Sequence, residues 1–210
     1  MLICHRDKKF TFKNYWSSQI FMTDERLDIQ NAASGDDPAI AHRGLFRAIA
    51  ALPPRSIIIF RHYSLPMKNR IKLFTLIKKR AKKKGHAIFW AGHIFHAIKY
   101  GADGAHIPLW ARRKFSNRCQ IHPLSLSISA HHAADINSAS LYHPDFLILS
   151  PIFTTKSHVG QRPLGRMRFM KLSQLSHHHI IAMGGMNVRR AANMKNHIAC
   201  GWAGINAFQK

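Results

Sequence analysis

Short apolar runs of strand length recur along this chain with a helical segment between each pair, and few folds accept that beat. Residues 56–61 read Ser-Ile-Ile-Ile-Phe-Arg, apolar and β-branched without alternation, as in a strand buried on both faces of a parallel sheet. Similar runs fall at 19–23, 87–91, 102–107, 123–128, 145–150, 179–183 and 201–205. Helical spacing is predicted at 39–52, from Pro66 to a stop at Gly85, and at 94–100, 133–141, 168–175 and 187–195. Pro53-Pro54 ends the first of these and Pro66 opens the second, since proline suits a helix start and breaks its interior. The linker 108–122 has only weak helical character. Eight strands alternating with helices predict βαβ units closed into a single (β/α)8 TIM barrel of the α/β class. At 210 residues the chain suits one domain, 1–210, near the lower length limit of such a barrel. Lys210 follows the last strand closely, so the eighth helix is expected to be short or missing. A homo-oligomer, with a second subunit over that edge, is a further expectation.

Charge narrows the partners. Lys and Arg number 32 against 9 Asp and Glu, a net +23, with 16 histidines besides. That balance predicts attraction to phosphate groups on a metabolite, a lipid or a nucleic acid, and a host with a basic proteome gives the same number. The densest run, Lys78 to Lys84, closes a predicted helix, where cations complement the dipole and face water. Only weak, non-specific nucleic-acid binding is therefore expected. No apolar run approaches the roughly 20 residues needed to span a bilayer, and the start lacks the apolar core of a secretory signal. Cys4, Cys119 and Cys200 are scattered, which argues against a disulfide frame or zinc site and for a reducing, cytoplasmic setting.

A barrel of this kind builds its site at the C-terminal strand ends. There the sequence supplies Asp24 and Arg26; Arg61, His62 and Tyr63; Trp90 and Gly92; His106; Ser129 and His131; Thr154 to His158; Gly184 to Met186; and Asn206. The set is cationic and almost free of carboxylates. Gly184-Gly185 leads from a strand into a helix, which suits either an anion site on open backbone N–H groups or a tight turn needing positive φ. Ile205 and Asn206 offer further backbone donors. Phosphate binding by the loops after strands 7 and 8 recurs in barrels, so an anion is expected on the amides of Gly185 and Asn206.

Four stretches in register carry a resemblance: Gly101-Ala-Asp-Gly-Ala-His106, Ser127-Ile-Ser129-Ala-His131, Asp145-Phe-Leu-Ile-Leu-Ser-Pro151-Ile-Phe-Thr154-Thr155, and Ile181-Ala-Met-Gly184-Gly185-Met186. Over residues 20–208 the chain resembles the thiamine phosphate synthase/TenI family. That resemblance implies a phosphorylated small molecule of thiazole phosphate type, held by Arg61, Thr155, Ser157, His158, Gly184, Gly185, Ile205 and Asn206. Synthases of the family join a pyrimidine diphosphate to a thiazole phosphate and use Mg2+ held by carboxylates to neutralise the departing pyrophosphate. Here the expected metal-ligand positions hold Trp90-Ala91 and Ala111, so no cofactor is expected; Asp24 and Asp103 are the candidates for substitute ligands. The motif after the second strand keeps only Arg61, with Ile59 and Tyr63 flanking it, and the threonine-rich signature reads Thr155-Lys156-Ser157-His158. TenI-type relatives instead tautomerise a thiazole carboxylate phosphate with the histidine of Ser-x-His, which here is Ser129-Ala-His131; His62, His106 and His158 are further candidates. Three readings stand: a synthase with replaced ligands, a tautomerase using His131 and Ser129, and a non-catalytic phosphate- or nucleic-acid-binding protein.

Overall fold

A computed structural model describes residues 19–27, 42–112, 124–155, 160, 162–194 and 199–208. Eight parallel strands close into a barrel in sequence order: β1 (Gln19–Met22), β2 (Ile57–Phe60), β3 (Ala87–Ala91), β4 (Gly104–Ile107), β5 (Ser125–Ala130), β6 (Phe146–Leu149), β7 (His179–Met183) and β8 (Gly201–Gly204). Closure comes from β1 on β8, with Ile20 opposite Ala203. The helices described between the strands are α1 (Arg43–Ala50), α2 (Met67–Lys83), α3 (Ile94–Lys99), α4 (Leu109–Arg112), α5 (Ala133–Ser140), α6 (Gly165–Gln174) and α7 (Val188–Ala192).

Side chains alternate across a strand, and here the two faces fill two cores. Ile20, Met22, Ile57, Ile59, Phe89, Phe146, Ile148 and Ile181 pack inside the barrel. Phe21, Ile58, Phe60, Ile88, Trp90 and Leu147 face outward onto the helices, meeting Leu73, Phe74 and Ile77 of α2. Double burial explains why these strands read as unbroken apolar runs.

The sequence reading needs one shift among the strands. The fifth runs Ser125–Ala130, two residues later than 123–128, because its inward positions are serines, which look like loop in sequence. No helix is described after β8. The 3-10 turn Asn206–Phe208 follows instead, and Phe208 stacks 5.1 Å from the Trp202 ring while meeting Phe21 edge-on at 5.8 Å. Residues 113–123 of the weak linker lie outside the described part; its start forms the single turn of α4. No described helix is long and apolar enough to cross a membrane.

Candidate functional site

Pairing continues past the ends of β6 and β7. Ile152 donates its N–H to Met183 O at 2.8 Å, and Phe153 to Gly184 O at 3.1 Å. This lays residues 150–154 directly against 183–185. A Cβ on Gly184 (φ 97°) would lie 2.7 Å from Pro151 Cα, and one on Gly185 (φ 62°) only 2.5 Å from Thr154 O. Both positions thus require glycine for backbone hand and for room.

The turn encloses one side of a cavity of about 300 Å3, lined by Ser150, Thr155, Gly184, Gly185 and Ile205 among others. No acceptor for the Gly185 amide is found among the described residues. Asn206 opens the turn beyond β8, whereas Ser157 and His158, with Lys156, lie outside the described residues. The start of α7 is less open than the sequence suggested, since Asn187 Oδ1 accepts from Arg190 N at 2.8 Å and caps it. Sequence reasoning missed Arg190, whose Nη1 donates to Gly185 O and whose guanidinium lies 4.6 Å over the Phe153 ring. The available signal was an arginine in a first helical turn, where it opposes the dipole.

Ser150 joins this cavity to His131. His131 Nδ1 sits 2.6 Å from Ser150 O, with Ser150 Oγ at 3.3 Å. A carbonyl only accepts, so Nδ1 carries the hydrogen and Nε2 of the neutral ring keeps its lone pair. The backbone of His131 is held as well, donating to Asp135 Oδ2 at 2.9 Å. Asp135 is buried in the first turn of α5 and also meets Arg112 at 3.3 Å.

Ser129 points inward two residues earlier, where its hydroxyl meets His106 Nε2 at 3.0 Å; Ser127 Oγ meets Nδ1 at 2.8 Å. His106 is fully enclosed. Burial, with help from the nearby Arg61 charge, pushes its pKa down to about 3. It therefore stays neutral and orients Ser129 rather than exchanging protons near neutral pH. His62 is also no site residue: it is buried outside the barrel, stacked 5.1 Å from Phe60 and bonded to Thr23 Oγ1 at 2.9 Å.

Arg61 stands over the mouth on the β2 side, 3.9 Å from Asp24 and outside the lining of the glycine-bounded cavity. Burial pulls the Asp24 pKa up, but hydrogen bonds and charge from Arg26, with Arg61, outweigh it and leave it low. Arg26 holds both Asp24 oxygens, at 2.6 and 2.8 Å. Beside them Arg70, buried on α2, donates to Arg61 O at 2.9 Å and Ala91 O at 2.6 Å. Its guanidinium lies 4.2 Å from the Trp90 ring, and burial lowers its pKa. Trp90 itself packs outward against Phe74 at 5.1 Å, correcting its placement at the mouth. Ala91 faces the barrel interior, and Ala111 is buried on α4. Asp103 lies at the opposite barrel end, accepting from Ile88 N at 2.9 Å. Among the described residues no group of three or more His, Cys, Asp or Glu could hold a metal ion.

Comparison with known proteins bears on the family and the fold. The chain is 29% identical over 148 residues to a putative thiamine-phosphate synthase 2 from Aquifex aeolicus, covering 68% of this chain and 77% of that protein. A thiamine-phosphate synthase from Prochlorococcus marinus is 26% identical over 135 residues, 62% of this chain but only 37% of its own length. The barrel superposes on a thiamine phosphate pyrophosphorylase from Pyrococcus furiosus with a TM-score of 0.69 at 18% identity, covering 90% of this chain and 85% of that one; this likeness speaks for the fold alone. A sequence model of the family described as thiamine monophosphate synthase, TMP-TENI, matches residues 37–208. The chain belongs to that family.

Proposed function

We propose that this barrel binds a thiazole phosphate or a similar phosphorylated heterocycle, and that His131 moves a proton on the ring, as in a tautomerase of TenI type. The observation that carries this reading is the Nδ1–H bond from His131 to Ser150 O at 2.6 Å. It leaves Nε2 as a base, and Ser150 also lines the glycine-bounded cavity. The phosphate would lie on the Gly185 and Asn206 amides with Thr155 and Ile205 alongside and Arg190 at the rim. Nε2 takes a proton from the non-aromatic ring and the resulting imidazolium returns one at another carbon. The formula of the substrate is unchanged, and the gain is aromaticity.

The Mg2+ that family synthases use does not fit the residues here. A hard divalent cation needs oxygen ligands, yet Ala91 and Ala111 offer no carboxylate, Asp24 is held by Arg26, and the Arg70 guanidinium already bonds the Ala91 carbonyl. Transfer of synthase type is the second reading, favoured by the names of the relatives above, and non-catalytic phosphate binding is the third.

The test follows aromatisation of the thiazole carboxylate phosphate by absorbance, beside calorimetry with pyrophosphate. His131→Asn is expected to lower kcat by about 10²–10⁴ and leave affinity for the product phosphate within about threefold. An unchanged rate in that variant removes the tautomerase reading. Mg2+-dependent pyrophosphate binding restores the synthase.

A further inference from the structure

Ser150 is the residue that His131 and the glycine-bounded cavity share, and its hydroxyl hydrogen is left over. The backbone there is fixed on both sides. Ser150 N–H donates to Ala130 O at 3.1 Å, Pro151 O accepts from Leu164 N at 2.9 Å, and Ile152 N–H donates to Met183 O. The residue is 9% exposed and lines the cavity.

A serine hydroxyl has one hydrogen to give and two lone pairs to offer. His131 Nδ1 lies 3.3 Å from Ser150 Oγ, but that nitrogen cannot take the hydrogen. Nδ1 carries a hydrogen of its own, donated to Ser150 O at 2.6 Å, and Oγ can at most share it as a second acceptor. No other acceptor for the Ser150 hydrogen is found among the described residues. Buried side-chain donors are mostly paired, so a spare one beside a cavity points to an atom of something that enters it.

The surroundings select the kind of acceptor. From Phe146 to Lys210 the chain holds nine Lys or Arg and no Asp or Glu, and this stretch supplies the lining of the cavity. Asp135, which holds the His131 backbone, is itself paired with Arg112. A negatively charged acceptor is favoured there over a neutral one, and a hydroxyl donating to an anion makes a short, charge-assisted bond.

We infer that Ser150 is a specificity-determining residue of this site. Its hydroxyl donates to an anionic oxygen carried by the ligand's ring, apart from the phosphate, and so sets the ring against His131. A ligand without that oxygen leaves the hydroxyl buried and unpaired, which is the source of the selectivity. This role rests on reading the cavity as a phosphate site, and it does not require turnover by His131.

Calorimetry on wild type and Ser150→Ala compares three probes: inorganic phosphate, a thiazole phosphate, and its ring-carboxylated counterpart in the aromatic form, which has no tautomerisation left to undergo. The carboxylated ester is expected to bind wild type at least about tenfold more tightly than the plain ester, a gap equal to about 1.4 kcal/mol. Ser150→Ala should bring the two within about threefold of each other and leave inorganic phosphate unchanged, because the variant keeps the main-chain oxygen that holds His131. Equal affinities of the two esters in wild type overturn the role of Ser150 and leave the phosphate site standing, as does a gap that survives Ser150→Ala. A loss shared by all three probes in the variant also overturns it, since the serine would then only shape the cavity. If neither ester binds while inorganic phosphate does, the role of Ser150 falls alone. If none of the three binds, the phosphate reading falls with it.

Discussion

Neutral His106 sits between two serine hydroxyls inside the barrel, and its depressed pKa has a consequence for stability. In the unfolded chain the ring titrates near 6.5, and in the folded barrel near 3. Between those values the unfolded state binds the extra proton, so stability is intact above about 6.5 and falls as pH drops, by up to about 1.4 kcal/mol per pH unit. His86 and His96, also lowered by burial first of all, act in the same direction. Urea midpoints measured from pH 7 down to 4.5, above most carboxylate titration, should decline steadily. The decline should flatten in a His106→Asn variant that remains folded; an equal slope in both would assign the effect elsewhere. The position of single residues at a strand end was legible where a local motif marked it, as at Ser129-Ala-His131. Arg70 and Arg190 were not, because their roles come from carbonyls distant in sequence or turned by a loop.

The strands were the most readable elements. Burial on both faces leaves an apolar run that flanking prolines and glycines delimit, and β3 and β7 fall where that pattern puts them. β5 slipped because Ser125, Ser127 and Ser129 alternate with Leu126, Ile128 and Ala130, and inward serines make sense only once His106 is known to lie against them. The pairing of 150–154 with 183–185 was hidden for a similar reason: nothing local in Gly184-Gly185 tells a turn from an interface. A comparison of two glycines separates the parts. Gly85 and Gly184 both have positive φ, but a Cβ on Gly85 meets nothing within 4 Å, whereas one on Gly184 would strike Pro151. Gly85→Ala is expected to cost about 1 kcal/mol from backbone hand alone. Gly184→Ala should cost about 1–3 kcal/mol more from overpacking, read from chemical denaturation. Equal losses would mean that the loop yields freely.

At the scale of the whole molecule, the few acids among the described residues are spoken for. Asp103 and Asp145 accept the N–H groups of Ile88 and Leu126 at the lower rim of the barrel, at 2.9 and 2.7 Å, while Asp24 and Asp135 bind arginines beside the mouth. The lysines at the end of α2 remain exposed, and Lys84 reaches Ala50 O. Helices in this barrel run opposite to the strands, so that cluster lies at the end away from the cavity. DNA is therefore expected to bind weakly, with affinity falling by about 0.9 log units per log unit of salt for each phosphate neutralised, and near-complete loss at roughly 0.2 M salt. Inorganic phosphate held in the cavity should not compete beyond its contribution to ionic strength. Tight binding at that salt, abolished by neutralising Lys82, Lys83 and Lys84, would make the barrel a nucleic-acid scaffold.

Arg70 also bears on which charges the ends of two strands can carry. Its guanidinium fastens the ends of β2 and β3 through two main-chain oxygens, so a cation is already built into the rim between those strands. A carboxylate placed beside that resident charge, at about 4 Å, would feel an attraction of about 4 kcal/mol at an effective dielectric of 20. The new acid would be neutralised by the protein itself before any metal arrived. Removing Arg70 would free such an acid but would also unfasten the strand ends. The bolt that holds two strands together thus also sets the charge of that rim.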